Sequence, residues 1–401
     1  MNILMTSLFD PDRRDGISSH ECSIVTELAQ KTHLDQAIVL TKSAENNPIL
    51  PARIAQFGGA RLRIFYRQGT MSVACVKLLI LSLFGIVRLD LPRETGYIFV
   101  GYHWIFWLPF LSRDDKIIFI PFDCWSAREA RVAGGEGSII RRYGRRLWGA
   151  VIRAAEVLTI DKVALYGFVS REEIDKYAAG LKVQQKSRFV ERSAVLPIAA
   201  HSPGANRHIL GDRAPKILVW MDGRVGYGMR SIVAAVRALE RWSMDHNDQH
   251  IDITLLTRRS DSDMSSHVVT DLSWKNIEFV AGELSLFLEK FDIIILPDMN
   301  GSGLKNREIQ SIAAGVAVAA TNIAAEGLSN KLRASIHTVN EVDEIGQALD
   351  QIVDNPESAR DMARNALDLL SLESEADGER SAFYQRVVVQ LDRSGVPPMV
   401  R

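Results

Sequence analysis

Short apolar runs alternate with helix-period stretches through both halves of the chain, and this alternation constrains the fold more than any single motif. The first cycle opens with Ile3-Leu4-Met5, passes through the turn-rich loop 9–16 (FDPDRRDG) and enters a helix at Ser18-Ser19-His20-Glu21. Ser18 and Glu21 form a capping-box pattern, each able to satisfy a free backbone N–H. Ile24, Val25, Leu28 and Ala29 give that helix its apolar stripe, and Ala37-Ile38-Val39-Leu40 is the next strand. Strand, helix and strand make a βαβ unit, which implies a parallel sheet with a right-handed crossover. Further strands are expected over 97–100 and 116–120, and helices over 139–155 and 171–179. A second alternation starts at Lys216-Ile217-Leu218-Val219-Trp220. It continues with a helix over 230–242, strands over 251–256 and 276–280, and a short helix near 284–289. A strand over 292–297, a helix over 306–314 and a strand over 316–320 follow, then helices over 341–353, 356–370 and 378–391.

A chain of 401 residues is too long for one core and suits two domains of roughly 150–200 residues each. The stretch 180–215, with Pro197, Pro203, Gly204, Gly211 and Pro215, loses periodicity and reads as the crossing between them. The expected organisation is an amino-terminal domain over 1–200, a carboxyl-terminal domain over 201–375, and a last helix over 376–401 that crosses back to the first domain. The fold class is α/β: two doubly wound Rossmann-like domains facing across a cleft, with ligands past the carboxyl ends of the strands.

Composition narrows the function classes. A hydrophobic fraction of 47% and a charged fraction of 24% are those of a globular protein. The formal net charge of −1 gives no electrostatic case for nucleic acid. Cys22, Cys75 and Cys124 are odd in number and lack CxxC spacing, which speaks for a reducing cytoplasm and against a disulfide framework or zinc site. The first residues read as a strand and not as a signal peptide. The stretch 72–89 (SVACVKLLILSLFGIVRL), broken by Lys77 and Arg88, falls short of the ~20 clean apolar residues of a membrane span; a buried helix and a membrane-surface element both remain open.

The most informative stretch is 296–328, LPDMNGSGLKNREIQSIAAGVAVAATNIAAEGL. It reads as a strand end, a glycine loop, a helix, a short strand and a second loop. Gly301 and Gly303 permit close backbone approach, and the helix beginning near Asn306 turns its amide donors and dipole toward the loop, where a diphosphate would be stabilised. Lys305 adds a positive charge there.

This stretch resembles the retaining glycosyltransferases of the large bacterial family four (glycosyl transferases group 1). The matching positions are Pro297, Gly301, Gly303, Leu304, Lys305, Asn306, Arg307, Ala313, Gly315, Val316, Val318, Thr321, Ala324, Glu326 and Gly327. Gly16-Ile17-Ser18-Ser19-His20 agrees with the family's first loop and helix. The resemblance implies a GT-B fold, retention of anomeric configuration and a UDP- or GDP-linked sugar as donor substrate, with no separate cofactor. It also assigns the first domain to the acceptor and the second to the donor. The sequence departs from the family at one point: Ser302 and Gln310 stand where two glutamates are usual, and Glu308 lies two residues away. A glutamine keeps a hydrogen bond to a ribose hydroxyl but loses its charge-assisted part.

The resemblance further implies roles for individual residues. Arg224, with Arg230 as substitute, would bind the donor diphosphate through a planar fork; the plain alternative is a solvated arginine. Donor contacts otherwise fall on Ser302, Gly303, Lys305, Asn306, Glu308 and Gln310. His103 would line the site near the transferred sugar, or is simply packed among tryptophans. Asp123, preceded by Phe122 where the family has histidine, would orient an acceptor hydroxyl, or caps the following helix. Glu326 would hold sugar hydroxyls and stabilise an oxocarbenium-like transition state. Gly16 and His20 fall on the acceptor side. Asp261-Ser262-Asp263 resembles a metal-binding D-x-D but reads as a turn, so no metal is expected.

Arg141, Arg142, Arg145, Arg146 and Arg153 interleave with Ile139, Ile140, Tyr143, Leu147, Trp148 and Val151. Such a helix suits an anionic membrane surface, or packs its apolar face on the sheet. The expected activity is a cytoplasmic, metal-independent hexosyltransferase, peripheral on the inner face of the membrane, acting on a surface-polysaccharide or lipid-linked glycan acceptor. A non-catalytic GT-B protein that binds a glycan or partner, and a nucleotide-sugar 2-epimerase, are the alternatives.

Overall fold

The computed structural model describes residues 2–6, 16–41, 61–66, 76–77, 80, 96–111, 116–136, 138–198, 215–221, 226–246, 252–256, 274–277, 287–301, 303–375 and 377–392. The chain forms two compact units: Met1–Ala199 with Ala376–Arg401, and Ala200–Glu375.

Unit 1 contains strands β1 (Asn2–Thr6), β2 (Gln36–Thr41), β3 (Arg61–Tyr66), β4 (Gly96–Val100), β5 (Lys116–Phe122), β6 (Val163–Phe168) and β7 (Ser193–Val195). Its helices are α1 (Gly16–Lys31), α2 (Trp125–Gly134), α3 (Ile139–Thr159), α4 (Arg171–Ala178) and α5 (Val183–Arg192). The strands form one sheet in the order β3-β2-β1-β4-β5-β6-β7, every pairing parallel. All five residues of β4 are buried, as a strand covered on both faces requires.

Unit 2 contains β8 (Lys216–Trp220), α6 (Gly226–Asp245), β9 (Asp252–Leu256), β10 (Trp274–Ile277), β11 (Ile293–Leu296), α7 (Asn306–Ala313), β12 (Ala317–Thr321), α8 (Asn330–Ala334), β13 (His337–Val339), α9 (Ile345–Asp354) and α10 (Pro356–Glu375). Its sheet, also parallel, runs β10-β9-β8-β11-β12-β13. Both sheets therefore start in the middle, grow outward to one side, and return to grow on the other. That is the 3-2-1-4-5-6 order of the doubly wound fold, and its reversal puts a crevice between the first and fourth strands.

The last helix, α11 (Asp377–Asp392), is part of unit 1. Phe383, Tyr384, Val387 and Leu391 are buried beneath it. Gly167 on β6 makes the seat: an added Cβ there would come within 2.8 Å of the Phe383 ring. Arg380 locks the helix in place, donating to both carboxylate oxygens of Glu27 on α1 (3.1 and 3.0 Å), to Ser23 Oγ at 3.0 Å and to the Pro197 carbonyl at 2.6 Å. Burial pushes the Glu27 carboxyl up, but the bonds and charge of Arg380 outweigh it and hold it below its ordinary value.

Most expected elements are present with small shifts at their ends, while four strands and the helices α5 and α8 are additional, and α2 fills the place of the helix expected after Asp123. β6 follows α3 with only three residues between, so its apolar run merges with the helix pattern. β7 and β13 have three residues each, and β3 pairs on the outside of β2. The stretch 180–215 is not all crossing, because α5 and β7 occupy its first part within unit 1. α5 buries only Phe189, so no periodicity announces it. Except for residues 76, 77 and 80, the stretch 72–89 lies outside the described residues, as does Asp261-Ser262-Asp263. Among the described residues, no helix is long and apolar enough to cross a membrane.

Candidate functional site

In unit 2 the crevice is bordered by the segment after β11. β11 is four fully buried residues, and the chain leaves it through Pro297 and buried Asp298 into the glycine loop. Gly301 (φ 128°) and Gly303 (φ 74°) adopt the left-handed backbone that lets the loop turn toward α7. The loop is braced on three sides. Ser231 of α6 accepts the Met299 N–H at 3.1 Å, Thr321 donates to the Asp298 carbonyl at 2.6 Å, and Arg307 pairs with the Asp298 carboxylate.

The second loop, after β12, packs against the first by backbone alone. A Cβ on Gly327 (φ 94°) would lie 2.5 Å from the Leu304 nitrogen and 2.7 Å from its Cα, so only glycine fits. Lys305 ties the same two loops: its Nζ donates to the carbonyls of Gly303 (3.3 Å), Ile323 (2.7 Å) and Ala324 (3.3 Å). The residue expected to meet a phosphate thus also holds the glycine loop and the Glu326 loop in register. Glu326 itself is half-buried on the turn beside Gly327.

α7 starts at Asn306, as expected, so Gln310 sits in its second turn, half-buried. Glu308 is fully buried; its Oε2 accepts the Lys305 N–H at 2.9 Å and its Oε1 lies 3.5 Å from the Lys305 ammonium. Burial pushes its carboxyl up to about 8, against the opposing pull of Lys305. Glu308 therefore caps α7 from inside through its Oε2. Arg230 is exposed on the first turns of α6; Arg224 and Ser302 lie outside the described residues.

In unit 1 the matching crevice is bordered by the turn after β4. Gly101 (φ 100°) starts a short 3-10 helix, Tyr102–Phe106, that buries His103. The His103 ring lies 4.1 Å from the Tyr102 ring and 5.2 Å, edge-on, from Trp125. β5 ends at Phe122, whose φ of 72° is unusual for a bulky side chain and costs about 1–3 kcal/mol. Asp123 follows. Arg128 joins it to the turn after β4, lying 3.4 Å from the Asp123 carboxylate, donating to Tyr102 Oη at 3.1 Å and covering the Tyr102 ring at 4.9 Å. His103 and Asp123 thus belong to one cluster through Tyr102, Trp125 and Arg128. Burial raises the Asp123 carboxyl above its usual range, and Arg128 opposes the shift.

Two further carboxylates close round the start of α2. Glu173 of α4 accepts the Cys124 N–H at 2.5 Å, and Glu156 of α3 accepts the Ser126 N–H at 3.2 Å and its hydroxyl at 2.6 Å. Burial raises both carboxyls, and pushes the Cys124 thiol up to about 12. Tyr102, Asp123, Trp125, Glu156 and Tyr177 share the walls of one narrow crevice. The bonds at the start of α2 that the capping reading of Asp123 called for come from Glu173 and Glu156. Arg128, Glu156 and Glu173 went unread in the sequence, because the bonds that bring them to Tyr102, Ser126 and Cys124 span 26 to 49 residues. Gly16 is the first residue of α1, two residues ahead of the expected start; the side chain of His20 lies outside the described residues. Among the described residues, no group of three or more His, Cys, Asp or Glu could hold a metal ion.

Two doubly wound domains, with the glycine loop after the fourth strand of the second, define this chain as a protein of GT-B fold. Among solved structures it is similar to WaaG, a glycosyltransferase involved in lipopolysaccharide biosynthesis (TM-score 0.62, 11% identity, covering 98% of this chain and 100% of that one). It is also similar to Anabaena HepE in complex with UDP-glucose (TM-score 0.60, 11% identity, covering 98% of this chain and 99% of that one). The trehalose-6-phosphate synthase OtsA matches at TM-score 0.58 and 13% identity over 99% of this chain and 100% of that one. At such identities the likeness is one of fold. No family model matches the sequence, and no curated protein matches it.

Proposed function

We propose that the chain is a glycosyltransferase that takes a hexose from a UDP- or GDP-sugar, with retention and without a metal, and delivers it to a surface-polysaccharide or lipid-linked glycan. The observation that carries this reading is the glycine loop Gly301–Gly303 at the reversal point of the unit 2 sheet, clamped against the Glu326-Gly327 loop. Its amides, the start of α7 and a nearby arginine, Arg224 or Arg230, suit a diphosphate. HepE, of the same fold, is in complex with UDP-glucose, which supports a nucleotide-sugar for this chain. Glu326 is the candidate for holding sugar hydroxyls, and Asn306 and Gln310 for the nucleoside. In unit 1, His103 and Asp123 are the candidates for the reacting and acceptor hydroxyls, with Gly16 and His20 beside the acceptor. Titrating the protein with a panel of UDP- and GDP-sugars tests the proposal: at least one is expected to bind, and binding by none overturns it.

A second reading has a specific observation in its favour. Glu308 caps α7 through its Oε2, and Gln310, where the resemblance places a glutamate, is a neutral residue. The chain would then bind a donor or glycan without turning it over. Gln310→Glu separates the two: a wild type that binds donor inertly, with turnover appearing in the variant, supports this second reading.

A further inference from the structure

α3 is apolar on both of its faces. One face packs inward through Gly149, Ile152, Ala155, Glu156 and Thr159. The opposite face carries Ile139, Tyr143, Leu147, Ala150, Ala154 and Leu158, spaced by three and four residues so that they form one stripe. Every one of these is exposed: Ile139 at 66%, Tyr143 at 65%, Leu147 at 70% and Leu158 at 69%, with Ile140 beside them at 85%. A soluble helix normally turns polar residues outward, so a continuous apolar ridge marks an interaction surface.

Charge selects the occupant. The helix has five arginines and one acid, Glu156, and that acid is buried. Arg146 is exposed beside the ridge and Arg141 is exposed on the first turn of the helix, while Arg142 is bonded to the Glu136 carbonyl and Arg145 is paired with Glu129. The whole chain has a formal charge of −1, so this basic character is local. A second copy of the same face would bring arginines against arginines, with no exposed acid on the helix to pair them. An anionic lipid surface satisfies both features at once, taking the apolar side chains at the acyl boundary and the arginines at the headgroups. Exposed Tyr143 has the amphipathic ring that favours that boundary.

We propose that the outer face of α3 docks unit 1 on an anionic membrane surface. The inference rests on the transferase reading only for its purpose, which is to bring the chain to a membrane-borne acceptor. The experiment is co-sedimentation of the full chain with phosphatidylcholine vesicles, with and without phosphatidylglycerol. Binding is expected to be at least about tenfold stronger with the anionic lipid and to weaken with salt. The double variants Leu147→Ser with Ile140→Ser, and Arg141→Ala with Arg146→Ala, are each expected to lose about tenfold or more of that binding. Their thermal unfolding should match the wild type, because all four side chains are exposed. Equal binding to neutral vesicles, or variants that bind like the wild type, would overturn the proposal. So would a concentration-dependent dimer that the same substitutions dissolve. UDP- and GDP-sugar titration without vesicles keeps the readings apart: a chain that binds donor and ignores anionic vesicles loses only the docking proposal, and the reverse result loses only the transferase reading.

Discussion

After the fourth strand of each sheet the backbone turns at a glycine with positive φ, Gly101 in unit 1 and Gly301 in unit 2, yet the side chains gathered at the two turns differ in kind. The unit 1 crevice is walled by Tyr102 and Trp125 and rich in buried carboxylates, and Glu173 and Glu156 already occupy the amides at the start of α2. An anion has no place at that helix. In unit 2 the cap of α7 comes from its own third residue, Glu308, and Lys305 and Arg307 stand beside the loop. A carboxyl held near 8 is mostly protonated at pH 7, so Glu308 neutralises little of this basic character. The same strand order thus gathers loops at the same place twice. The residues just beyond the strands make the two crevices different: buried carboxyls and aromatic rings in unit 1, a glycine loop with Lys305 in unit 2.

The largest expected effect is at Gly327. In Gly327→Val the side chain meets the backbone of Leu304, which cannot rotate away, and the positive φ adds its own strain. We expect a loss of about 3 kcal/mol or more in the stability of unit 2 and loss of nucleotide-sugar binding, read by thermal unfolding and donor titration. Unchanged donor affinity would show that the contact between the two loops does not shape the phosphate site. Glu173→Ala is the matching change in unit 1. It leaves the Cys124 amide without its acceptor and Lys176 without its closer partner, at 2.8 Å, and should cost about 2–3 kcal/mol. Donor affinity should hold, since the change lies in the other unit. If Glu173→Ala weakens donor binding as much as Gly327→Val, the division of roles between the crevices fails.

How far these crevices were legible follows from the range of their contacts. The βαβ alternation and the glycine loop are local patterns, and both sheets and the loop at 301–303 follow from them. α7 begins at Asn306, where the free-amide argument needed it. What stayed hidden is long-range. Nothing near Lys305 in the sequence shows that its ammonium reaches the carbonyls of residues 323 and 324, and nothing near Asp123 shows that Glu156 and Glu173 converge on the same helix. Glu308 shows the opposite difficulty. Its spacing from Lys305 is a local cap pattern, but the glutamate deficit at Ser302 and Gln310 drew it toward a ligand instead. In the structure its Oε2 accepts the Lys305 amide, the bond that the local spacing implies.

Glu308→Gln gives the smallest effect and sharpens the comparison most, because it changes the charge of one crevice without changing its shape. Burial raises the folded carboxyl to about 8 from an ordinary 4.5. Between those values the folded state holds more protons than the unfolded one, so the wild type loses stability as pH rises through this window. The amide oxygen of glutamine can still accept the Lys305 N–H but never ionises. Below pH 4.5 the two proteins should unfold alike. By pH 8 the variant should be the more stable of the two, by no more than about 1.4 kcal/mol for each pH unit crossed. Donor affinity should follow the same course: it should weaken in the wild type above pH 8, as the new negative charge beside Lys305 repels a diphosphate, and stay level in the variant. Thermal unfolding and donor titration across pH 5 to 9, the range bracketing that midpoint, check both. Parallel pH profiles for the two proteins would mean that Glu308 is ionised throughout, and that the basic crevice of unit 2 is weaker than its contrast with unit 1 requires.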